Sequence, residues 1–144
     1  MKRITKYFIL FEVLLLCVGC NKKKLECIKT DENEKVKTIQ KVEVTFNKNK
    51  VETYNNSLVF EIANNNITYR NLLVAELKKD FKEYSNKEGI EFKIIEDKTN
   101  INVNINAKIS NLSKEEMKIL GFDNEYGNYK ETQKALENSN YSCK

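Results

Sequence analysis

The feature that most constrains this 144-residue chain is the segment 101–110, in which apolar and polar side chains alternate without a break. The apolar positions hold isoleucine, valine and alanine, and the positions between them hold asparagine, lysine and serine. Successive side chains of a β-strand point to opposite faces of the sheet, so this alternation predicts a strand with one buried face and one wet face. The chain must therefore build a sheet that is covered on one side.

Other segments show the same period or a shorter extended pattern. The further predicted strands are residues 36–46, 51–54, 58–62 and 90–94. Polar turns at 47–50 and 97–100 separate some of them, since asparagine, aspartate and threonine favour reversal of the chain. These short connections predict an antiparallel sheet.

Helical spacing replaces the strand period after the first strands. Apolar residues recur about one turn apart from Leu73 to Tyr84, while charged residues occupy the positions between them. This pattern predicts an amphipathic helix over residues 69–85 that packs one face on the sheet. Thr68 is its predicted N-cap, because a threonine hydroxyl can accept a hydrogen bond from the first turn.

Two shorter helices are predicted near the C-terminus. Ser113 and Glu116 have the spacing of a capping box, which predicts a short helix that ends at Gly121. The last helix is predicted over residues 129–138, where Tyr129, Gln133 and Leu136 fall on one stripe at helical spacing. The order of elements is typical of an α+β fold: an antiparallel β-sheet with one main amphipathic helix packed on one face and two short C-terminal helices.

The first residues have the composition of a secretory signal. Residues 1–6 contain three cationic side chains, and residues 7–16 are apolar except for one glutamate. An apolar core of about ten residues fits a signal peptide, whereas a membrane-spanning helix needs roughly 20. We therefore expect residues 1–19 to be a signal peptide that is removed.

The end of this signal, Cys17-Val18-Gly19-Cys20, resembles the lipobox of bacterial lipoproteins. In a lipobox the last cysteine receives a diacylglyceryl group and becomes the new N-terminus, so the resemblance implies lipidation of Cys20. Cys17 stands where leucine is usual, and Glu12 interrupts the apolar core. An uncleaved N-terminal anchor is the alternative interpretation.

Cleavage before Cys20 leaves 125 residues, a length that suits one domain. We expect residues 20–35 to be a lipidated N-terminus and tether, leading into a possible short first strand, and residues 36–144 to be a single α+β domain. The signal contains three basic residues and one acidic residue, Lys2, Arg3, Lys6 and Glu12, so the mature chain keeps 22 basic and 20 acidic residues. A net charge of +2 makes nucleic acid an unexpected partner, because nucleic-acid binding needs a sustained basic surface. The expected partner is the membrane, through the lipid on Cys20.

Two cysteines remain in the mature chain besides Cys20. Cys27 and Cys143 lie near its opposite ends, and the ends of a compact domain often lie close together. An exported protein meets oxidising conditions, so we predict a Cys27–Cys143 disulfide. The alternative is a pair of free thiols.

Several catalytic classes are excluded by composition. The sequence contains no histidine, which excludes histidine-based nucleophilic triads and the usual zinc sites. Its four glycines do not form a phosphate-binding spacing. We therefore expect a protein that is not an enzyme and that holds no cofactor or metal.

The alternative function is an envelope enzyme that uses carboxylates or a bound metal. Glu91 and Glu96 are the candidate acid pair for such chemistry. Asp97 and Asp123 are candidate ligands for a cation such as Ca²⁺, although neither lies in an EF-hand loop.

Two further groups of side chains are candidate binding surfaces. One group consists of tyrosines, Tyr54, Tyr69, Tyr84, Tyr126, Tyr129 and Tyr141, and the other of the amides Asn102, Asn104 and Asn106. Aromatic and amide groups both serve ligand recognition. The alternatives are tyrosines at the edge of the core and asparagines on the solvent face of a strand.

Taken together, these pieces resemble the YehR-like family of small bacterial lipoproteins. The resemblance rests on the lipobox at Cys20, the Lys-Val-Glu-Val-Thr-Phe strand at 41–46, the amphipathic helix to Tyr84, the paired strands of 89–109 and the terminal Tyr-Ser-Cys-Lys at 141–144. It implies the fold and an extracytoplasmic, lipid-anchored location, and it carries over no catalytic residue. We expect a membrane-anchored surface lipoprotein that acts as a non-catalytic binding or envelope-associated module.

Overall fold

A computed structural model describes residues 22–120, 122 and 127–144 of the protein. The strands are β1 (Lys22–Glu32), β2 (Val36–Asn47), β3 (Lys50–Ile62), β4 (Ile90–Glu96), β5 (Asn100–Lys108) and β6 (Ser142–Cys143). The helices are α1 (Ile67–Asp80), α2 (Lys114–Ile119) and α3 (Tyr129–Asn138). The α+β class is confirmed.

The six strands form one sheet in the order β4-β5-β3-β2-β1-β6, and every neighbouring pair is antiparallel. β1, β2 and β3 follow one another as a meander. β3 and β4 both run antiparallel to β5, which lies between them, so they are parallel to each other and α1 makes the crossover. The predicted antiparallel sheet is therefore present, with one crossover that the sequence pattern did not show.

The alternation in β5 divides the sheet into a covered and an open face. Ile101, Val103, Ile105 and Ala107 are buried, whereas the asparagines between them are partly exposed. The cross-strand register continues the covered face through neighbouring strands: Ala107 lies opposite Tyr54, and Tyr54 lies opposite Val44. The prediction of a sheet that buries one face is confirmed.

Two apolar clusters lie on the covered face. The first joins β5 and β4 to Val74 and Leu77 of α1, and the second joins β1 and β2 to Leu136 of α3. Asn56 of β3 sits between them, opposite Val42 on one side and Ile105 on the other. The side-chain amide of Gln40 donates to Asn56 Oδ1 at 3.1 Å, which satisfies part of this buried polar group.

The β2–β3 hairpin closes through the predicted turn at 47–50. Its central residues, Lys48 and Asn49, have φ values of 50° and 65°. Positive φ at both positions gives a two-residue connection whose twist matches that of the strands, and asparagine tolerates this conformation well.

The predicted tether at 20–35 requires a correction. Residues Lys22–Glu32 form an 11-residue strand that pairs along its length with β2. Only Leu25 and Cys27 are fully buried in it, and charged residues fill most other positions. This composition suits a strand beside the short edge strand β6, because charged side chains protect sheet edges from unwanted pairing.

Other boundaries also differ from the predictions. The separate strands at 51–54 and 58–62 are one strand, β3, because Asn55, Asn56 and Ser57 continue the pairing instead of breaking it. The main helix spans Ile67–Asp80, and its N-cap is Asn66, whose Oδ1 accepts a hydrogen bond from the backbone of Tyr69 at 3.0 Å.

The C-terminal helices agree with the predictions where they are described. The Ser113–Glu116 capping box is present at the start of α2, and α3 spans the predicted 129–138. Gly121, Cys20 and the predicted signal peptide lie outside the described residues, so the predictions for them stay predictions. Within residues 22–120, 122 and 127–144, no helix has the length and apolar character to cross a membrane.

Candidate functional site

The open face of the sheet presents polar side chains in rows that run across the strands. One row contains Glu26, Glu43, Asn55, Asn106 and Glu91, in the order β1-β2-β3-β5-β4. On the other face, α1 and α3 pack against the apolar clusters, and Leu112 and Leu120, on either side of α2, pack against the first of them. The open face is therefore a regular polar surface that the apolar clusters leave uncovered in the described fold.

Ion pairs occupy the β1–β2 half of the open face. Lys24 Nζ lies 2.6 Å from Glu26 Oε1 and 2.9 Å from Glu43 Oε2, and Lys41 Nζ lies 3.5 Å from Glu26 Oε2. The hydrogen bond and charge of Lys24, together with the charge of Lys41, lower the pKa of Glu26. This half of the face is a network of compensated charges.

The other half of the open face contains a depression of about 570 Å³. Its polar side chains come from the last turn before β4 and from three strands: Glu88, Thr53, Asn55, Asn106, Lys108 and Glu91. Asn55 and Asn106 are directly opposite each other in β3 and β5. Two adjacent amides offer both donors and acceptors to a ligand.

Glu91 supplies a negative charge at the rim of this depression. The ammonium of Lys93 donates a hydrogen bond to it and lowers its pKa, first through that bond and then through its charge. A hydrogen bond from the Asn106 side chain lowers the pKa of Glu91 further. The depression therefore combines a carboxylate that is ionised at neutral pH with amides, a hydroxyl and the ammonium of Lys108.

The proposed acid pair of Glu91 and Glu96 is not brought together. These residues are separated by an odd number of positions in one strand, so their side chains lie on opposite faces of the sheet. Glu96 instead lies beside α1, where its carboxylate is 3.3 Å from Arg70 and 3.4 Å from Lys78. The prediction that Glu91 and Glu96 form an acid pair is therefore wrong.

Asp97 closes the β4–β5 turn. Its Oδ1 accepts hydrogen bonds from the backbone N–H groups of Thr99 at 2.8 Å and Asn100 at 2.6 Å, and these bonds lower its pKa. Asp123 lies outside the described residues. The part of the chain that the structure describes contains no group of three or more acidic, cysteine or histidine side chains with metal-site geometry.

The predicted tyrosine surface is divided between the two apolar clusters. Tyr129 packs on Phe46 with ring centres 5.4 Å apart, whereas Tyr84 packs with Phe81 at 5.4 Å on the other cluster. The Tyr84 hydroxyl donates to the carbonyl of Ile119 at 3.2 Å, and burial, followed by the charge of Glu83, raises its pKa. The described tyrosines act mainly as core-edge residues, and Tyr126 lies outside the described residues.

The predicted disulfide is present between Cys27 and Cys143, 116 positions apart. It joins β1 to β6, in which these two residues are direct cross-strand neighbours. The free-thiol alternative does not hold in this structure.

The comparisons with known proteins concern the fold. No family model and no curated protein matches this sequence. The solved NMR structure of the E. coli YehR protein matches with a TM-score of 0.63 and 11% sequence identity, covering 86% of this chain and 93% of that one. The chain has the YehR fold.

A second solved structure supports the same assignment. The NMR structure of a protein from Streptococcus pneumoniae TIGR4 matches with a TM-score of 0.56 and 13% identity, covering 88% of this chain and 87% of that one. At sequence identities this low, the likeness to these two structures concerns the fold alone. The predicted resemblance to YehR-like proteins is confirmed at that level, and no activity follows from it.

Sequence reasoning identified only part of the open face. It singled out Asn102, Asn104 and Asn106, because β5 alternates strictly. It missed Asn55 and Ser57, because three consecutive polar residues in β3 resemble a break between strands. Their pairing with Asn106 and Asn104 becomes visible only from the cross-strand register.

Proposed function

We propose that the protein is a bacterial lipoprotein, anchored by the lipid on Cys20 at the extracytoplasmic face of the cell membrane, whose open face binds a polar ligand without chemical turnover. The signal-like segment 1–19 and the lipobox-like Cys17-Val18-Gly19-Cys20 support the anchor. The Cys27–Cys143 disulfide supports export, since such bonds persist in oxidising compartments.

The observation that carries the binding role is the depression around the adjacent amides of Asn55 and Asn106. A ligand there meets the Thr53 hydroxyl, the Glu91 carboxylate and the Lys108 ammonium within one surface. These groups suit a ligand that is rich in amides, hydroxyls and carboxylates. Peptidoglycan fragments have that chemistry and occur in the proposed location.

Metabolic labelling with a fatty-acid analogue tests the anchor. We expect labelling of the native chain and of Cys17→Ala, and complete loss of labelling in Cys20→Ala. The Cys17→Ala control separates the two cysteines of the lipobox-like segment. Labelling that persists in Cys20→Ala would refute the proposed anchor.

Amide chemical shifts, recorded during titration with soluble peptidoglycan fragments, test the binding face. We expect shifts confined to the depression, lost in Asn55→Ala/Asn106→Ala and retained in Asn102→Ala, which changes the same face outside the depression. Equal shifts in the double variant, or no shifts in the native protein, would refute this site.

Mass spectrometry of the recovered fragments tests the absence of turnover. We expect the fragments to return unchanged. Hydrolysis that disappears in Glu91→Gln would instead establish the alternative, an envelope enzyme that uses carboxylates.

A further inference from the structure

We propose that the end of the sheet where β1 begins rests directly on anionic lipid headgroups, so that the anchored domain holds one orientation on the membrane. We call this the basal end and define it by Lys22, Lys23, the hairpin turn at 47–50 and Lys108. The inference rests on the proposed anchor at Cys20 and names the surface that the anchored domain turns toward the bilayer.

The first argument is the length of chain between anchor and sheet. Only Asn21 separates Cys20 from Lys22, and Lys22 already pairs with Asn47 as the first residue of β1. Two residue steps span at most about 7 Å. A lipid on Cys20 therefore holds the start of β1 at the headgroup region, without a flexible spacer.

The second argument is the charge of the basal end. Its lysines are Lys22, Lys23, Lys48, Lys50 and Lys108. The acids beside them are Glu52, which pairs with Lys22 at 3.1 Å, and Glu88 and Glu91, which line the open-face depression together with Lys108. Lys93 forms an ion pair with Glu91, and Lys87 precedes Glu88, so these four residues cancel in formal charge. Lys48, Lys50, Lys108 and Glu52 also line one open depression beside the hairpin. At the adjoining start of α3, Lys130 and Glu131 compensate each other in formal charge.

These residues make the charge of the mature chain asymmetric. The five basal lysines and Glu52 sum to +4, whereas the mature chain as a whole carries +2, so the remainder carries −2. Anionic headgroups attract lysines close to the surface, and this attraction decays within a Debye length of about 10 Å. The excess positive charge therefore lies at the end that the anchor brings within that range.

The opposite end of the sheet has the opposite character. The turn between β1 and β2 and the residues beside it carry five acids, Asp31, Glu32, Glu34, Glu61 and Asp97, against four lysines, Lys29, Lys35, Lys37 and Lys98, which sum to −1. Lys29 pairs with Asp31 at 3.5 Å, and Lys37 pairs with Glu61 at 3.6 Å. The length of β1 separates this turn from Lys22 by about 30 Å, which is several Debye lengths. Turning the domain over would bring acidic side chains to an anionic surface, so both ends favour the same orientation.

The basal lysines are free to meet a membrane. Lys22, Lys23, Lys48, Lys50 and Lys108 are all exposed in the described fold. The turn between them, with Asn47 and Asn49, is exposed as well. Lys23 also lies over the Tyr129 ring at 5.8 Å, which places an aromatic side chain beside the same end.

Lysine acylation by a membrane-impermeant reagent tests the orientation. The processed, lipidated protein is added to preformed vesicles of phosphatidylcholine alone or of phosphatidylcholine with phosphatidylglycerol, and labelled sites are measured by peptide mass spectrometry. With the anionic vesicles we expect labelling of Lys48 and Lys50 to fall about fivefold. This factor corresponds to the attraction of roughly 1 kcal/mol between one lysine and an anionic membrane surface. Lys35 and Lys98 at the far end serve as internal controls and keep their labelling.

Matched variants separate orientation from general charge. The anchor alone gives Lys22 and Lys23 some protection on both kinds of vesicle, so the readout is the additional protection on anionic vesicles. In Lys48→Gln/Lys50→Gln/Lys108→Gln we expect this additional protection of Lys22 and Lys23 to be lost, whereas Lys35→Gln/Lys37→Gln/Lys98→Gln keeps it. High salt should also remove the protection. Equal labelling of both ends on anionic vesicles would overturn the proposal.

Flotation distinguishes this failure from failure of the anchor. Protein that floats with both kinds of vesicle but shows no difference in labelling is anchored without the proposed orientation. Protein that floats with neither kind has no functional anchor, which overturns both proposals.

Discussion

Cys27 and Cys143 face each other across neighbouring antiparallel strands, with their Cα atoms 4.0 Å apart and their sulfur atoms bonded. The backbone adds to this link, since the N–H of Lys144 donates to the carbonyl of Glu26 at 2.8 Å. The last residues of the chain are thereby fixed to the strand that begins the domain. The disulfide and this backbone hydrogen bond together fix the two-residue strand β6 beside β1.

Removal of this disulfide is expected to lower the free energy of unfolding by about 4 kcal/mol, because the bond closes a loop of more than 100 residues in the unfolded chain. Urea unfolding of Cys27→Ala/Cys143→Ala, compared with the native protein, measures the loss. A reducing agent should destabilise the native protein and leave the double variant unchanged. A variant as stable as the native protein would contradict this account.

Asn66 is expected to cap α1, and Thr68 is not. Asn66→Ala removes the acceptor for the Tyr69 N–H and should cost about 1 kcal/mol of stability. Thr68→Ala is the matched control and should change stability by less than about 0.5 kcal/mol, as for an ordinary surface position. Chemical denaturation of both variants decides between the two caps. A larger loss for Thr68→Ala would restore the cap predicted from sequence.

Gly89 is expected to tolerate no side chain. A Cβ atom there would lie 2.5 Å from Leu112 Cδ2 and 2.9 Å from the carbonyl oxygen of Asn111. Gly89→Ala should therefore cost about 1–3 kcal/mol through overpacking. At Gly127 the nearest atom is the end of the Glu131 side chain at 3.0 Å, which can move, so Gly127→Ala should be nearly neutral. Thermal unfolding of the two variants should separate them clearly.

Glu116 is expected to make stability sensitive to acid. The backbone N–H of Ser113 donates to its carboxylate at 2.8 Å, and this bond is the main reason that its pKa lies below the ordinary 4.5. The Ser113 hydroxyl and the N–H of Gly89 lower it further. Because the folded pKa is depressed, the carboxylate stabilises the fold fully above about pH 4.5, and this contribution is lost as pH falls through the folded pKa.

Urea midpoints measured between neutral pH and acid test this sign. The native protein should lose more stability on acidification than Glu116→Gln does, so the two curves should converge at low pH. Glu115→Gln, which changes the neighbouring acid in the same turn, is the control and should follow the native curve. Parallel curves for the native protein and Glu116→Gln would exclude the proposed role of this carboxylate.

The sequence predicted those elements whose side chains carry a clear period. β5 was predicted because every second residue is apolar, and the α2 cap was predicted because a capping box needs only two residues three positions apart. β1 was not recognised as a long strand, since most of its positions hold charged residues beside a sheet edge. The polar triplet in β3 was read as a break because its pairing with β5 is not a local property.

The candidate binding face was also predicted only in part from the sequence. The asparagines of β5 were identified from sequence, but their partners across the sheet depend on register, which long-range packing sets. The pairing of Glu91 with Glu96 was wrong for a local reason, because five positions along a strand reverse the face.

The sequence by itself determined a half-covered antiparallel sheet and the short helices, because these depend on local periodicity. It predicted the pairing of Cys27 with Cys143, and the contact between β1 and β6 decided between that pairing and free thiols. Only the tertiary structure decided that β5 lies between β3 and β4 and that Asn55 meets Asn106. It alone also decided that the sheet begins at Lys22. Those features arise from contacts between residues far apart in the chain, whose free energies depend on three-dimensional packing.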